Sequence, residues 1–182
     1  FTAIFSGIEV IWDRQFGFLK ETLVSPVARW HIMLGKTLGA STIAVLQATL
    51  ILILALIFGF RPISILSIFP AYVFMFLIGF LFSAFGIAIA CNLEDMRAFP
   101  FIINFIVMPI FFLSGALFPL DSLPKNVVTV TLFNPLTYGV EGLREILTGA
   151  GHVALTTSLL VLILVSAIMF AIGSYFFSQV EA

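Results

Sequence analysis

The sequence predicts an all-α integral membrane protein, a polytopic helical bundle, and three observations support this fold class. Hydrophobic residues make up 62% of the 182 positions, above the roughly 45–50% apolar content of soluble domains. The mean hydropathy is +1.23. Four charge-free runs each exceed the roughly 20 residues that cross a bilayer, namely 37–60, 62–93, 98–120 and 146–180. Because lipid offers backbone groups no hydrogen-bond partner, the crossings are predicted to be helices.

The elements follow one another within a single predicted transmembrane domain, residues 1–182. Residues 1–12 are too few to cross a membrane, and we interpret them as the end of a truncated span in an N-terminally shortened fragment. Residues 13–35 form a polar segment, and residues 119–151 form a long outer segment. The predicted transmembrane helices are 36–59, 66–91, 99–118 and 153–177.

Lys and Arg predict the orientation, since cytoplasmic loops carry an excess of these residues. Seven of the 17 formal charges precede residue 37. With residues 13–35 and the loop 92–97 on one side, that side holds five basic residues and the other side holds three. We therefore expect both segments in the cytoplasm and residues 119–151 outside, in a multi-pass plasma membrane protein of a prokaryotic inner membrane. The five are Arg14, Lys20, Arg29, Lys36 and Arg97; the three are Arg61, Lys125 and Arg144.

The outer segment is too long and too apolar for an ordinary loop. After Pro135, apolar residues recur at helical spacing, with charged residues around the other faces. The apolar residues are Leu136, Val140, Leu143 and Leu147; the charged ones are Glu141, Arg144 and Glu145. Two hypotheses stay open: a short helix that dips into the outer interface beneath a polar rim, or a surface helix that touches only headgroups.

The third complete span, 99–118, is predicted to be central. Pro100 and Pro109 interrupt it, and protein neighbours must then satisfy the freed carbonyls. Asn104 lies in the same span, and an intramembrane amide faces a helix neighbour or a cavity. We expect this span near a dimer interface, with Asn104 and Pro109 as candidates for the translocation path; ordinary helix packing is the alternative for Asn104.

Several function classes lack their motifs. "GKT" at 35–37 would need a Gly at position 30 to complete a phosphate-binding loop, and that position is Trp30. The complete spans hold no carboxylate, there is no zinc-protease motif, and no basic tract points to nucleic acid. We therefore predict a chain that is not an enzyme and binds no cofactor or metal. Cys91 stands alone, which excludes an internal disulfide.

The polar segment 13–35 contains a predicted helix of its own. Phe18, Leu19, Leu23 and Val24 interleave with charged residues, and a Ser-Pro break follows at residues 25–26. A helix broken from the next span by proline, apolar on one side and charged on the other, lies flat at the membrane surface. Such a helix can dock into a groove on a soluble partner. The alternative is an ordinary positively charged loop.

Three ordered motifs carry a resemblance to a known family: "DRQFGFLKETLVSPVARWHIMLGK", "FFLSGALFPLDSLP" and "NPLTYGVEGLRE". Together they resemble the permease subunit of type-2 ABC exporters, a group that includes daunorubicin, nodulation-factor and polysaccharide exporters. The resemblance implies a cytoplasmic coupling helix at about 17–24 and an outer re-entrant helical pair at about 119–149. It also implies a homo- or heterodimer of permeases and a separate ATPase that binds ATP and Mg²⁺. The family has six spans after an amphipathic helix, and that helix, the first span and most of the second are missing here.

The resemblance assigns candidate residues to two segments. Those of the coupling segment, residues about 14–26, are Arg14, Phe18, Lys20, Glu21, Leu23, Val24 and Pro26. Those of the re-entrant segment are Pro135, Tyr138, Glu141 and Arg144.

Two other functions stay open as alternatives to an exporter permease. One is an intramembrane enzyme acting on lipids, with Glu141, Arg144, Glu145 and His152 clustered near the outer face. The other is a non-transporting membrane scaffold. For an exporter, spans with few polar residues suggest an amphiphilic substrate.

Overall fold

A computed structural model describes residues 1–24, 26–93, 95–118 and 124–180, without the side chains of residues 20, 22, 23, 125 and 126. All regular secondary structure in these ranges is helical, which confirms the predicted fold class. The predicted break at Ser25 and residues 119–123 of the outer segment lie outside the described residues. The helices are α1 Thr2–Phe5, α2 Gly7–Gln15, α3 Phe18–Val24, α4 Arg29–Ile57, α5 Ile68–Cys91, α6 Ala98–Phe112, α7 Lys125–Thr131, α8 Pro135–Thr148 and α9 Leu155–Gln179.

Three helical segments of the described chain are long and apolar enough to cross a membrane: α4, α9 and α5 together with the 3₁₀ turn Ile65–Ser67 that precedes it. Helix α4 begins at Arg29, seven residues before the predicted start of the span. The prediction placed that start at Lys36, directly before the charge-free run, but Arg29 and Lys36 both lie within the helix. Long basic side chains can extend from a helix end towards the polar interface, so they do not mark the end of a span.

Helix α6 is shorter than the predicted span 99–118. Pro100 does not interrupt the helix, because it lies in the first turn, where a backbone N–H has no intrahelical acceptor. Pro109 lies inside the helix, which ends three residues later at Phe112. Fifteen residues rise about 22 Å, less than the roughly 30 Å of a bilayer core. Residues 113–118 continue as turns and bends.

Helix α5 is the centre of the bundle. Its most apolar stretch is 56% buried, compared with 17% in α4 and 17% in α9. It packs against α1, α2, α4, α8 and α9. Small residues allow the closest approach, since a Cβ atom added to Gly7 would collide with the carbonyl group of Gly86. Helix α5 therefore contacts α8, which carries one candidate site, and α2, which leads directly into α3, the carrier of another.

The bundle has two ends, which we name after the short helices that they carry. At the α3 end, the Arg29 guanidinium at the start of α4 donates to the carbonyls of Ser178 and Val180 at the end of α9. At the α8 end, the N–H of Ile63, between α4 and α5, donates to the carbonyl of Leu147 at 3.1 Å. Helix α3 and the C-terminal end of α8 therefore lie at opposite ends of the bundle. Which end faces the cytoplasm stays a prediction.

Candidate functional site

Helix α3 is attached to the bundle along one side and exposed along the other. Gly17 forms the corner after α2 with a φ of +81°, a backbone conformation that glycine adopts without strain. Leu19 is only 1% exposed and anchors the helix in the core. Phe18 and Val24 are 60% and 85% exposed, and Glu21 is exposed beside them. The predicted helix is therefore present and presents apolar side chains outward.

Residues before and after α3 in the chain are exposed as well. Phe16, Val27 and Trp30 are exposed, and Pro26 lies between α3 and α4 with its ring exposed as well. We call this the coupling surface and define it as Phe16, Phe18, Glu21, Val24, Pro26, Val27 and Trp30. Apolar patches rimmed by polar residues mark interaction sites more often than chance would place them. The side chains of Lys20 and Leu23, two predicted coupling residues, lie outside the described residues.

The Arg14 side chain turns inward rather than towards the coupling surface. One guanidinium nitrogen, Nη2, donates to the carbonyl oxygens of Ala90 at 3.0 Å and Cys91 at 3.2 Å. These are carbonyls at the C-terminus of α5, where the helix leaves them without intrahelical partners. An arginine there also complements the helix dipole. The predicted contact of Arg14 with an ATPase stays a prediction. Next to it, Asp13 forms an ion pair with Lys36 of α4 at 2.5 Å.

Helix α8 begins as its sequence predicts and carries a row of polar side chains. Pro135 occupies the first helical position, and the Asn134 side chain caps the helix by accepting from the N–H of Leu136 at 3.0 Å. Polar residues follow at intervals of three and four, which places them on one face of the helix. We call this row the polar stripe; its members are Asn134, Thr137, Glu141 and Arg144.

The polar stripe binds the backbone where α6 ends. Carbonyl groups after a helix terminus have no intrahelical donor, and within a membrane protein they need one from the protein. Two members of the stripe donate directly to residues 110–115: Asn134 Nδ2 to Ile110 O at 2.6 Å and Arg144 Nη2 to Gly115 O at 2.7 Å. The Thr137 hydroxyl donates to Thr131 O at 2.8 Å and lies 3.3 Å from Leu113 O.

Glu141 is the most deeply buried charged residue among the described side chains, with an exposure of 0%. One carboxylate oxygen accepts from Arg144 Nη1 at 2.6 Å, and the other accepts from the backbone N–H of His152 at 2.7 Å. From the sequence, Glu141 lies with Arg144 and Glu145 around the other faces of the helix, and its burial was not predicted. An argument from periodicity treats a charged residue as exposed to solvent. Here an arginine one turn away and a backbone N–H bind the Glu141 carboxylate in place of solvent.

The residues proposed for a lipid enzyme lie close together, but their carboxylates are occupied. Both oxygens of Glu141 are bound inside the chain, and Glu145 accepts from the N–H of Gly151 at 2.9 Å. The cluster therefore joins α8 to residues 115 and 151–152. Among the described residues, no three His, Cys, Asp or Glu side chains come together as a metal site would require.

Helix α8 runs beside the first half of α5 rather than across the end of the bundle. Gly142 lies against the ring of Phe74, so closely that a Cβ atom there would collide with it. At the start of α8, Pro135 lines a cavity of about 160 Å³ together with Leu81. Leu81 lies 13 residues after Ile68, which corresponds to about 20 Å along α5. Tyr138 is half-buried, and its hydroxyl donates to the Leu132 carbonyl at 2.9 Å.

Asn104 and Pro109, the candidates for the translocation path, lie on one exposed face of α6. Phe101 and Phe105 are 78% and 83% exposed on the same face. The Asn104 side-chain amide donates to the carbonyl of Pro100 at 2.9 Å, one turn earlier in its own helix. An aromatic face with an amide in its middle is therefore open at the side of the bundle.

Two members of the polar stripe, Asn134 and Thr137, were missed in the sequence analysis. A signal for them exists: Asn, Thr, Glu and Arg recur at intervals of three, four and three residues in "NPLTYGVEGLR". That spacing marks a continuous polar face on a helix that is otherwise apolar. The exposed Phe16 and Trp30 of the coupling surface were missed as well, because an isolated aromatic residue carries no signal of exposure.

A family model described as ABC-2 type transporter matches residues 1–148. The chain belongs to the ABC-2 type transporter family. The matched region contains both the coupling surface and the polar stripe, so both are parts of an ABC-2 domain. The resemblance drawn from the three motifs is confirmed.

Relatives of this ABC-2 chain carry names that agree with the family. It is 31% identical over 143 residues to a protein of Cyanophora paradoxa named as the transport permease ycf38, covering 76% of this chain and 48% of that protein. It is 29% identical over 145 residues to the Escherichia coli K12 protein YbhR, named as a multidrug ABC transporter permease, covering 79% and 39%. It is 29% identical over 150 residues to nodulation protein J of Rhizobium leguminosarum bv. trifolii, covering 81% and 56%.

These findings identify the chain as a membrane permease subunit of an ABC transporter and do not favour the lipid enzyme or the scaffold. The matched region spans about half of the length of the ycf38 relatives. The activity, substrates and partners of the whole ABC-2 protein are therefore matters for proposal.

Proposed function

We propose that this chain forms the translocation path of an ATP-driven exporter, as a dimer of permeases coupled to a separate ATPase. The observation that carries the proposal is the coupling surface: a short helix, anchored by Leu19, that exposes Phe18 and Val24 at one end of the bundle. In this proposal ATP and Mg²⁺ bind to the ATPase, and the permease contributes conformational change rather than chemistry. The coupling segment comprises residues about 14–26.

The contact with the ATPase would depend mainly on the apolar side chains of α3. A buried apolar anchor commonly contributes more than about 1–2 kcal/mol to an interface, whereas a solvated charge contributes less than about 1 kcal/mol. We assign Phe18 and Val24 as anchors and Glu21 as a residue that sets the register. On the same helix, Leu23 would be a further anchor and Lys20 a further polar contact.

We propose that a second permease copy faces α6 across the translocation path. The exposed face of α6 with Phe101, Asn104, Phe105 and Pro109 supports this assignment, because an intramembrane amide is placed at a helix neighbour or a cavity. Cross-linking of single cysteines along this face should join two permeases. Uniform exposure to lipid, without any inter-subunit product, would contradict the assignment.

The position of α8 supports a re-entrant segment. If α5 crosses the membrane, Pro135 lies about 20 Å from the start of α5 and so well below the outer surface. In this orientation the α3 end is cytoplasmic and the α8 end faces outward across a plasma membrane, the inner membrane in a prokaryote. Impermeant reagents applied to intact cells should label a cysteine at Glu145 and spare one at Glu21; the reverse pattern would invert the topology.

The substrate class we propose is an amphiphile. The long helices are apolar, and the exposed side of α6 offers aromatic rings around one amide. One relative is named as a multidrug permease, which agrees with a path that accepts apolar molecules.

Co-purification of the ATPase with the full-length permease tests the proposed function. Val24→Asp puts a charge on the most exposed anchor and should strongly reduce the amount of ATPase recovered, with the abundance and dimer formation of the permease unchanged. Glu21→Ala should reduce ATPase recovery less than Val24→Asp does. Likewise, Lys20→Ala should reduce it less than Leu23→Asp does. The matched control is Phe58→Asp, an equally exposed apolar position near the opposite end, 86% exposed. Normal ATPase recovery with Val24→Asp would contradict the coupling role of α3.

A further inference from the structure

We propose that α2 and α5 move as one rigid lever, so that a displacement of the coupling surface passes first to α5. Arg14 and the contact between Gly7 and Gly86 would be the positioning residues of this lever. The inference rests on the proposed function and deepens it, because it names the spanning helix that receives the signal from the ATPase.

The first attachment is a contact between two backbones. A Cβ atom added to Gly7 would collide with the carbonyl group of Gly86, and one added to Gly86 would collide with the carbonyl of Ile4. In both directions the obstacle is main chain, which cannot rotate away as a flexible side chain can. The α1–α2 segment and α5 therefore touch without intervening side chains, and sliding at this point would break the close packing.

The second attachment is the Arg14 guanidinium on the C-terminal carbonyls of α5, at 3.0 Å and 3.2 Å. Arg14 lies seven residues after Gly7, which places the two attachments about 10 Å apart along α2. Two separated points fix the direction of a helix as well as its position. Directly beyond Arg14, the corner at Gly17 and the buried Leu19 join α3 to the same unit.

The connection to α4 is weaker by comparison. It includes the ion pair between Asp13 and Lys36, whose side chains are 29% and 22% exposed, and partly exposed pairs are screened by solvent. Helix α4 also begins only after the break at Pro26. Helix α5, in contrast, continues through the bundle to Phe74, which lies against Gly142 of α8. The lever therefore reaches from the coupling surface to the helix that carries the polar stripe.

Cys91 can report on the contact between α2 and α5, because it is half-buried and its own carbonyl accepts from Arg14. The experiment measures maleimide labelling of Cys91 in the full-length permease with its ATPase in lipid nanodiscs, all other cysteines being removed. Labelling is compared without nucleotide and with ATP, Mg²⁺ and vanadate. For the wild type the ratio of the two rates should be about 1, because α2 and α5 stay together.

In Arg14→Gln the contact between α2 and α5 should open when the ATPase holds nucleotide. The ratio of the Cys91 labelling rate with nucleotide to the rate without it should then rise about tenfold, the change expected from the loss of a charge-assisted hydrogen bond. Arg14→Lys, which keeps a charged donor, should restore part of the protection. Gly86→Ala should raise the ratio, whereas Gly39→Ala, with no atom within 4 Å of the added carbon, should not. A merely structural role of Arg14 would raise both rates equally and leave the ratio at the wild-type value.

Two results would overturn the lever alone: nucleotide-dependent labelling of Cys91 in the wild type, or a wild-type ratio in Arg14→Gln. A different result, failure of the ATPase to co-purify with the wild-type permease, would overturn the proposed function and the lever with it.

Discussion

Replacing Glu141 tests whether the polar stripe holds the α8 end together. Glu141→Ala removes the partner of a partly buried arginine and the acceptor for the N–H of His152. Removing one partner of a buried ion pair costs about 3–5 kcal/mol. Arg144 is 20% exposed and keeps its bond to the Gly115 carbonyl, so we expect a smaller loss of about 2–4 kcal/mol in the free energy of unfolding.

Three further variants separate the contributions of burial and of charge to the free energy of unfolding. Glu145→Ala, on the same helix, removes a single hydrogen bond from the Gly151 N–H and should cost about 1 kcal/mol. Glu141→Gln keeps an acceptor for only one of the two donors, because an amide has a single oxygen, and should still cost less than Glu141→Ala. The double variant Glu141→Leu with Arg144→Met should recover only part of the loss. Apolar residues of similar volume can replace a buried pair, but the Gly115 carbonyl and the His152 N–H lose their partners.

Thermal unfolding of the purified permease in detergent measures these effects. Each kcal/mol lost from the free energy of unfolding lowers the Tm by about 2–4 °C in a protein of this size. Glu141→Ala should therefore lower the Tm by about 4–16 °C, and Glu145→Ala by about 2–4 °C. Equal shifts for the two variants would refute the reasoning, because they would mean that the burial of Glu141 and its pairing with Arg144 contribute nothing beyond one ordinary hydrogen bond.

Three other groups of variants test individual contacts of the bundle. Gly142→Ala forces a methyl group into a phenylalanine ring of α5 and should cost about 1–3 kcal/mol, whereas Gly39→Ala enters open space and should leave thermal unfolding unchanged or improve it. Asn134→Ala removes the cap of α8 and the bond to the Ile110 carbonyl and should cost about 1–2 kcal/mol, measured as faster hydrogen exchange in the first turn of α8 and at the end of α6. Asp13→Lys and Lys36→Asp should each lower the stability by under about 1 kcal/mol, and the double swap should restore it; additive losses would contradict the pair.

The sequence predicts those parts of the fold that depend on local periodicity and composition. The apolar runs place α5 and α9 within two residues of their observed bounds, and the spacing after Pro135 places α8. A charge-free run of sufficient length has few alternatives to a helix in lipid. The amphipathic spacing around Leu19 likewise predicts that α3 exists as a separate helix.

The sequence could not predict which partner a charged residue binds in the folded chain, or whether a proline starts a helix or breaks it. Glu141 and Arg144 are one turn apart, yet only the position of the Gly115 and His152 backbones decides that Glu141 is buried rather than exposed. Arg14 stands in a segment that meets water, but its guanidinium binds α5, which follows more than 50 residues later in the chain. Pro100 illustrates the same limit, because a proline breaks a helix or starts one according to a boundary that composition does not fix.

The most direct test of the central claim is contact between α3 and the ATPase in the assembled transporter. A photo-cross-linking amino acid at Val24, which is 85% exposed, should yield a permease–ATPase product on irradiation. The same probe at Phe58, which is 86% exposed at the end of α4 opposite to α3, should yield none. A product from position 58 with none from position 24 would contradict the coupling role of α3 and place the ATPase at the α8 end.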